Sequence, residues 1–392
     1  MKDSNLSLYG TKEVYLDSNA TTQPLPEVVE LVASAMASGC GNPSSVHAAG
    51  ERSRSLLRKA REQVASFVNT ADVNVVFTTG ATEANNIVLQ SLVSGKLSGY
   101  RLVTSAVEHS SILATAERLS DRGVEVVILP VDRDGRVDSL AMVEAIEAGK
   151  TLVSIQWANN ETGVIQPISE MAEAARAAGA LFHTDAVQAI GKVVVDLDRT
   201  PVDLLSLSAH KIHGPMGVGA LIGPGLKHMS PITYGGSQEM AIRPGTENVP
   251  GILGLGCALE IRANRFERVA QHVKELRDSF ESQLTSSGLV AEVNGSSVDR
   301  LSNTSNIRFA RADGEALILR LDQVGVRCSQ SSACTNRKPE PSYVLRAMGL
   351  SEDQAFASVR FGFSELNTSD EVSLAVESMK KILAGLERFA LA

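Results

Sequence analysis

The chain has 392 residues, 43% of them hydrophobic and 21% charged, with a net charge of −8 spread along its length. This is an ordinary folded chain of two domains, or of one large domain and a smaller partner, with no bulk charge basis for binding nucleic acid or a membrane. Four cysteines (Cys40, Cys257, Cys328 and Cys334) are too few for a disulfide framework and lack zinc-site spacing. No signal-peptide core and no apolar run of bilayer length are present, so a reducing cytoplasm is the expected setting.

In chain order, residues 12–18 read as a short opening segment, followed by a polar loop and a helix over 26–38. A second loop at 39–45 leads into a helical pattern over 50–69, apolar on one face and arginine-rich on the other. From 73 the pattern alternates. Strands are predicted over 73–78, 101–105, 124–129, 151–157, 181–184, 203–208 and 217–222. Helices are predicted between them: from 80 to about 92, and over 110–120, 137–148 and 168–178. Short apolar strands alternating with helices imply a mostly parallel sheet covered on both faces, whose ligands sit beyond the carboxyl ends of the strands. After about 250 the rhythm changes. A long helix over 252–284 precedes short strands near 290–293 and 304–309 and a helix over 314–323. A loop over 328–341 follows, then a helix over 342–348, a strand over 357–361 and a last helix over 369–391. The large domain is expected over 20–255, and a smaller α/β domain over 1–19 and 256–392.

The chemistry-bearing residues fall at strand ends. Lys211, in Ser208-Ala-His210-Lys211, ends the strand 203–208 beside a glycine-rich turn. Lysine is rarely buried without reason. A desolvated lysine forms Schiff bases readily with a carbonyl or with pyridoxal phosphate (PLP); taken alone, the motif reads first as a solvated turn lysine. Gly80-Ala81-Thr82 opens a helix after a strand, which suits a phosphate or simple capping by Thr82. His109 follows the strand 101–105, where it can stack on a flat cofactor, shuttle a proton, or be inert. Asn159-Asn160-Glu161-Thr-Gly163 is also ordinary turn chemistry. Asp185 is a buried strand-end acid that needs a partner, either an ion pair or the ring nitrogen of PLP. Phosphate seat, ring partner, stacking residue and Schiff-base lysine all at one sheet edge are the parts a PLP site needs. Cys334, in a polar loop of small residues with Arg337 and Lys338 nearby, reads as a reactive thiol. Cys328, at an apparent strand end, reads as structural, as do Cys40 and Cys257.

With these motifs in place the chain resembles the cysteine desulfurases, the PLP enzymes of iron–sulfur cluster and nitrogenase assembly. The resemblance runs through Leu16-Asp17-Ser-Asn-Ala-Thr-Thr, Gly41-Asn-Pro-Ser-Ser-x-His47, Gly80-Ala-Thr-Glu-Ala-Asn-Asn, Glu108-His109, Asn159-Asn-Glu-Thr-Gly163 and His183-Thr-Asp-Ala-Val-Gln188. It continues through Ser208-Ala-His-Lys211, Arg243-Pro-Gly-Thr-Glu-Asn248, Ser332-Ala-Cys-Thr335 and Glu340-Pro-Ser-Tyr-Val-Leu-Arg346. The long segment around Cys334 is similar to that of the group I members. The resemblance implies a fold-type I, aminotransferase-like α/β architecture and a homodimer. It implies that Lys211 holds PLP, Asp185 pairs with the ring nitrogen, Gln188 bonds the ring hydroxyl, and His109 stacks and moves protons. Ala81, Thr82, Ser208 and His210 would bind the phosphate, and Thr246 would reach the partner subunit's cofactor. Asn160 and Arg360 would meet the substrate carboxylate. L-cysteine would give L-alanine and a Cys334 persulfide, whose sulfur passes to an acceptor protein. That acceptor would be a cluster scaffold, a tRNA-thiolation protein or a DNA-phosphorothioation protein, with no direct contact to nucleic acid or membrane.

Three departures from the family pattern stand out. Ser331 replaces a glycine beside the Ser-Ala-Cys motif, which stiffens the loop. Met240-Ala241 stands where members carry Arg-Gly. The sequence ends soon after the last helix, without the tail that engages the cluster scaffold in housekeeping members, which favours a dedicated acceptor. A selenocysteine lyase or a plain aminotransferase would not need Cys334, and a silent scaffold partner would not need the lysine, aspartate and histidine.

Overall fold

The computed structural model describes residues 13–287, 291–297, 299–309, 312–330 and 340–390. Among the described residues, twelve strands follow in chain order. They are β1 Val14–Tyr15, β2 Val75–Thr78, β3 Arg101–Ser105, β4 Val126–Leu129, β5 Thr151–Ser154, β6 Leu181–Asp185, β7 Leu204–Ser208, β8 Gly219–Ile222, β9 Ala291–Val293, β10 Thr304–Phe309, β11 Val326–Arg327 and β12 Ser358–Gly362. A seven-stranded sheet has the order β2-β8-β7-β6-β5-β3-β4. All its neighbours pair parallel except β8, which runs antiparallel to β2 and β7. β2, β5, β7 and β8 are buried along their whole length, as strands covered on both faces must be.

The period of two sorts their side chains between two cores. Val75, Phe77, Val103, Val153, Leu205, Leu207 and Ala220 enter one, together with the helices Pro26–Ala37, Ala48–Phe67 and Ile168–Ala177 and the start of the helix Val249–Thr285. Val76, Leu102, Leu152, Leu204 and Leu221 enter the other, under the helices Ala81–Gln90 and Ser110–Asp121. Gly219 serves a close approach here: a Cβ on it would lie 2.5 Å from the Leu207 carbonyl oxygen and 2.7 Å from the Gly80 Cα. That contact packs β8 under the turn after β2.

A further core lies beyond the sheet. The antiparallel sheet β12-β10-β9 and the parallel pair β1-β11 pack on the second half of Val249–Thr285 and on the last helix, through Phe280, Leu284, Phe361, Phe363, Val376 and Met379. Val249–Thr285 therefore serves two cores. Asn248 caps it by accepting from the Gly251 N–H, as helix-starting asparagines do.

The predicted elements differ from the structure mainly at their ends. The strand expected from 73 begins at Val75 after a 3₁₀ turn at Asp72–Asn74, the strand expected to 157 stops at Ser154, and the helix expected over 137–148 is Ser139–Glu144. The short helix Glu352–Phe356 was not anticipated; Ser351 and Gln354 form a capping box at its start.

Candidate active site

The carboxyl ends of β2, β3, β5, β6 and β7 share one edge of the large sheet, where a cavity of about 670 Å³ opens. β7 ends at Ser208, and the chain tightens into the 3₁₀ turn Ala209–Lys211. This carries Lys211 into the cavity, where its Nζ donates to the carbonyls of Asn19 (2.6 Å) and Ala20 (2.7 Å). His213, just after it, sits in the left-handed region at φ 63°. Its N–H donates to Thr22 Oγ1 and its Nδ1 bonds the Gln23 carbonyl oxygen, 2.7 Å each; these contacts hold a conformation that a bulky residue avoids.

Asp185 ends β6 and is buried. Its Oδ2 accepts from Asn85 Nδ2 (2.8 Å) and its Oδ1 from the Val187 N–H (3.0 Å). Both donors are neutral, so the carboxylate keeps acceptor capacity for a positive group in the cavity. Above β2, the helix Ala81–Gln90 begins at the cavity wall, and Ala81, Thr82, Ser208 and His210 line that end together. The first amides of a helix have no partner within it and carry its positive dipole end. His210 Nδ1 bonds Thr21 Oγ1 (3.1 Å). Burial, then the charges of Lys211 and Lys192, push its pKa down to about 4, so it is a neutral ring at pH 7.

His109 caps the helix Ser110–Asp121, its Nδ1 accepting from the Ser111 N–H at 3.1 Å. The proton therefore sits on Nε2, and burial holds the pKa below the ordinary histidine value. Gln188 donates from Nε2 to the Asn19 carbonyl (3.0 Å) and accepts at Oε1 from Lys192 Nζ (2.6 Å).

Arg360 reaches the same cavity from β12, across from the sheet edge. It is 3% exposed. One terminal nitrogen donates to Asp17 Oδ1 (2.9 Å) and the other to the Asn160 carbonyl (3.3 Å). Asp17 Oδ2 also accepts from the Ser329 hydroxyl (2.7 Å). Cys328 lies beside this group. Burial first, and then Asp17, push its thiol up to about 12, so it stays protonated and is a poor nucleophile.

The cavity thus brings together Ala81, Thr82, His109, Asn160, Asp185, Gln188, Ser208, His210, Lys211 and Arg360. Thr246 is exposed and is not part of the lining. Cys334 lies outside the described residues, as does the Ser331 departure. Sequence reasoning assigned no role to Asn19, Asn85, Asp17 or Lys192. Asn19 is a hub: its carbonyl takes Lys211 and Gln188, its Nδ2 donates to the Asn160 carbonyl and Thr304 Oγ1, and its Oδ1 accepts from Asn303. For Asp17, Asn19 and Asn85 the available signal was membership of the Leu16–Thr22 and Gly80–Asn86 motifs; Lys192 lies in neither.

A cavity at the carboxyl edge of a doubly covered sheet, holding an inward lysine, a strand-end aspartate and a helix start, defines a site of the fold-type I kind. The sequence model of the class-V aminotransferase family matches residues 14–374. A relative named cysteine desulfurase, from Bradyrhizobium diazoefficiens, is 44% identical over 94% of each chain. A solved NifS-like protein superposes with a TM-score of 0.89 at 33% identity, covering 95% of this chain and all of that one. A structure of SspA in complex with cysteine gives 0.80 at 31%, covering 91% of this chain and all of that one. The chain belongs to the class-V aminotransferase family, among its cysteine desulfurases.

Proposed function

We propose that the cavity holds PLP, that L-cysteine binds over it, and that Cys334 receives the sulfur. The donor set fits the cofactor. The amide end of Ala81–Gln90 with Ser208 and His210 suits the phosphate, Asp185 with its neutral donors suits the protonated ring nitrogen, and Lys211 supplies the amine for the aldehyde carbon. His109 offers a flat neutral ring and an Nε2–H. When bound, PLP supplies an electron sink for the substrate's Cα–H electrons.

The protein's own residues do the rest. Arg360 and Asn160 orient the substrate carboxylate; a guanidinium fork suits that group, and Asp17 keeps the fork aimed at the cavity rim. Lys211 Nζ, steered by the Asn19 and Ala20 carbonyls, takes the proton from the substrate Cα. His109 Nε2–H serves proton movement nearby. The Cys334 thiolate attacks the substrate sulfur, the C–S bond breaks, and L-alanine leaves with a proton in place of sulfur. Cysteine plus the enzyme thiol thus becomes alanine plus the enzyme persulfide, which balances without an external oxidant. The persulfide passes its outer sulfur to an acceptor protein. A homodimer, with Thr246 reaching the partner's cofactor, accords with that residue's exposure away from its own cavity.

The observation that carries this reading is the convergence of Lys211, Asp185 and the start of Ala81–Gln90 on one cavity with Arg360 opposite. The test is alanine release and sulfide release under a thiol reductant, from L-cysteine, by wild type, Lys211→Ala and Cys334→Ala. We expect each variant to lose at least about a hundredfold, as removal of a group acting in the chemical step does. Cys334→Ala turning over at the wild-type rate would remove that residue from the reaction.

A further inference from the structure

Lys192 lies four residues after Gln188, on the chain leaving β6, and it does not line the main cavity. It borders a second, much smaller one of about 30 Å³ on the far side of Lys211, with His213, Arg262 and Glu365. Its Nζ reaches forward to Gln188 Oε1 at 2.6 Å, while Gln188 Nε2 lies 3.0 Å from the Asn19 carbonyl.

An amide has one accepting and one donating end, and here both neighbours agree on which is which. The Asn19 carbonyl can only accept, so it requires the Gln188 NH₂. A lysine amine donates whether or not it is charged, so it suits the Gln188 oxygen. Rotating the amide by half a turn would set oxygen against oxygen at Asn19. We infer that Lys192 is a positioning residue, whose amine turns the Gln188 oxygen to the rear and thereby presents its second N–H to the ring oxygen of the cofactor. The inference rests on the cofactor reading given above. Burial of the Lys192 amine, and then the charges of Lys211, Arg262 and Arg360, push its pKa well below the ordinary lysine value. The amine donates in either protonation state.

If Lys192 acts through Gln188, the two residues behave as one unit, and their effects do not add. The experiment measures the dissociation constant of PLP from the full chain by its visible absorbance, and the pH at which the bound band titrates. The proteins are wild type, Lys192→Met, Gln188→Ala and the double variant. We expect Lys192→Met to weaken PLP binding about tenfold and to shift the titration. In the Gln188→Ala background the same change should alter affinity by less than about twofold. A full tenfold loss in that background, or wild-type affinity and titration in Lys192→Met, overturns the inference. Gln188→Glu is a second variant that keeps an oxygen for the Lys192 amine and removes the N–H, and its melting temperature, read beside its affinity, separates a folding defect from a lost contact. It should lose PLP affinity as Gln188→Ala does, and wild-type affinity there also overturns the inference. Wild-type chain that binds no PLP at all would instead strike the cofactor reading itself.

Discussion

Glu108 precedes His109 and is fully buried. Both its oxygens lie within 3.0 Å of the Gln156 N–H, and Oε1 also takes the Ser105 hydroxyl at 2.6 Å. Those bonds favour the charged form, but burial outweighs them and the nearby Asp185 adds to it, so the pKa rises to about 8. A carboxyl raised in the folded state binds its proton more tightly there than in the unfolded chain. Its stabilisation is complete below about 4.5 and is lost as pH climbs through about 8. Thermal unfolding of wild type should therefore show a melting temperature that declines across that window. Glu108→Gln, whose single carbonyl oxygen can still accept from Ser105 and from the Gln156 N–H as Oε1 does and which does not titrate, should flatten the decline. An unchanged slope in the variant would show that the burden lies elsewhere. His183 works in the opposite sense. It is held between Ser154 (2.8 Å) and Ser206 (3.0 Å), and burial lowers its pKa to about 3, so its contribution is present above about 6.5 and is lost as pH falls toward 3.

At the scale of elements, the segment Glu239–Ala241 stands out. Glu239, Met240 and Ala241 have φ of 45°, 62° and 58°, three successive left-handed residues without a glycine among them. Each costs on the order of 1 kcal/mol. The conformation is held by Glu239, whose carboxylate takes two bonds from Arg61 (2.6 and 3.0 Å) and one from the Phe77 N–H (2.8 Å). β2 is an edge strand, so this carboxylate also closes an N–H that would otherwise face outward. Arg61 stacks 4.6 Å above the Phe77 ring and ties the arrangement to the helix Ala48–Phe67. At Ala241 the positive φ is one that glycine adopts without the cost of a Cβ. Ala241→Gly should raise stability by about 1 kcal/mol, or roughly 2 °C in melting temperature for a chain of this size. A lowered melting temperature would show that the alanine methyl contributes more than the strain removes.

At the scale of the molecule, the site depends on two cores held in register. Lys211, Asp185 and His109 stand on the large sheet, whereas Arg360 stands on β12, whose next residue, Phe361, packs against Phe280 at 4.8 Å. Phe363 meets the same ring at 5.4 Å. Phe280 belongs to the helix Val249–Thr285, which began in the core beneath the sheet. Phe280→Ala should cost about 3–5 kcal/mol and also loosen the placement of Arg360. A lower melting temperature together with a raised KM for L-cysteine at nearly constant kcat is the expected pair. A lowered melting temperature with unchanged KM would separate the packing of that core from substrate binding.

What the amino-acid sequence determined by itself was local: the alternation of apolar strands and helices, and the chemistry-bearing residues at strand ends. Lys211, Asp185, His109 and the start of Ala81–Gln90 could be placed at strand ends because the apolar run before each is a local signal, although each alone also had an ordinary structural reading. Contacts between distant segments were not. Asn19 holds Lys211 across 192 positions and Asp17 holds Arg360 across 343, and nothing local marks either pair. The antiparallel turn of β8 between β2 and β7, and the rear contact from Lys192 to Gln188, likewise come only from the packed chain. Periodicity and turn chemistry act over a handful of residues, whereas the partner of a buried carbonyl or guanidinium is decided when the sheet and the second core close on each other.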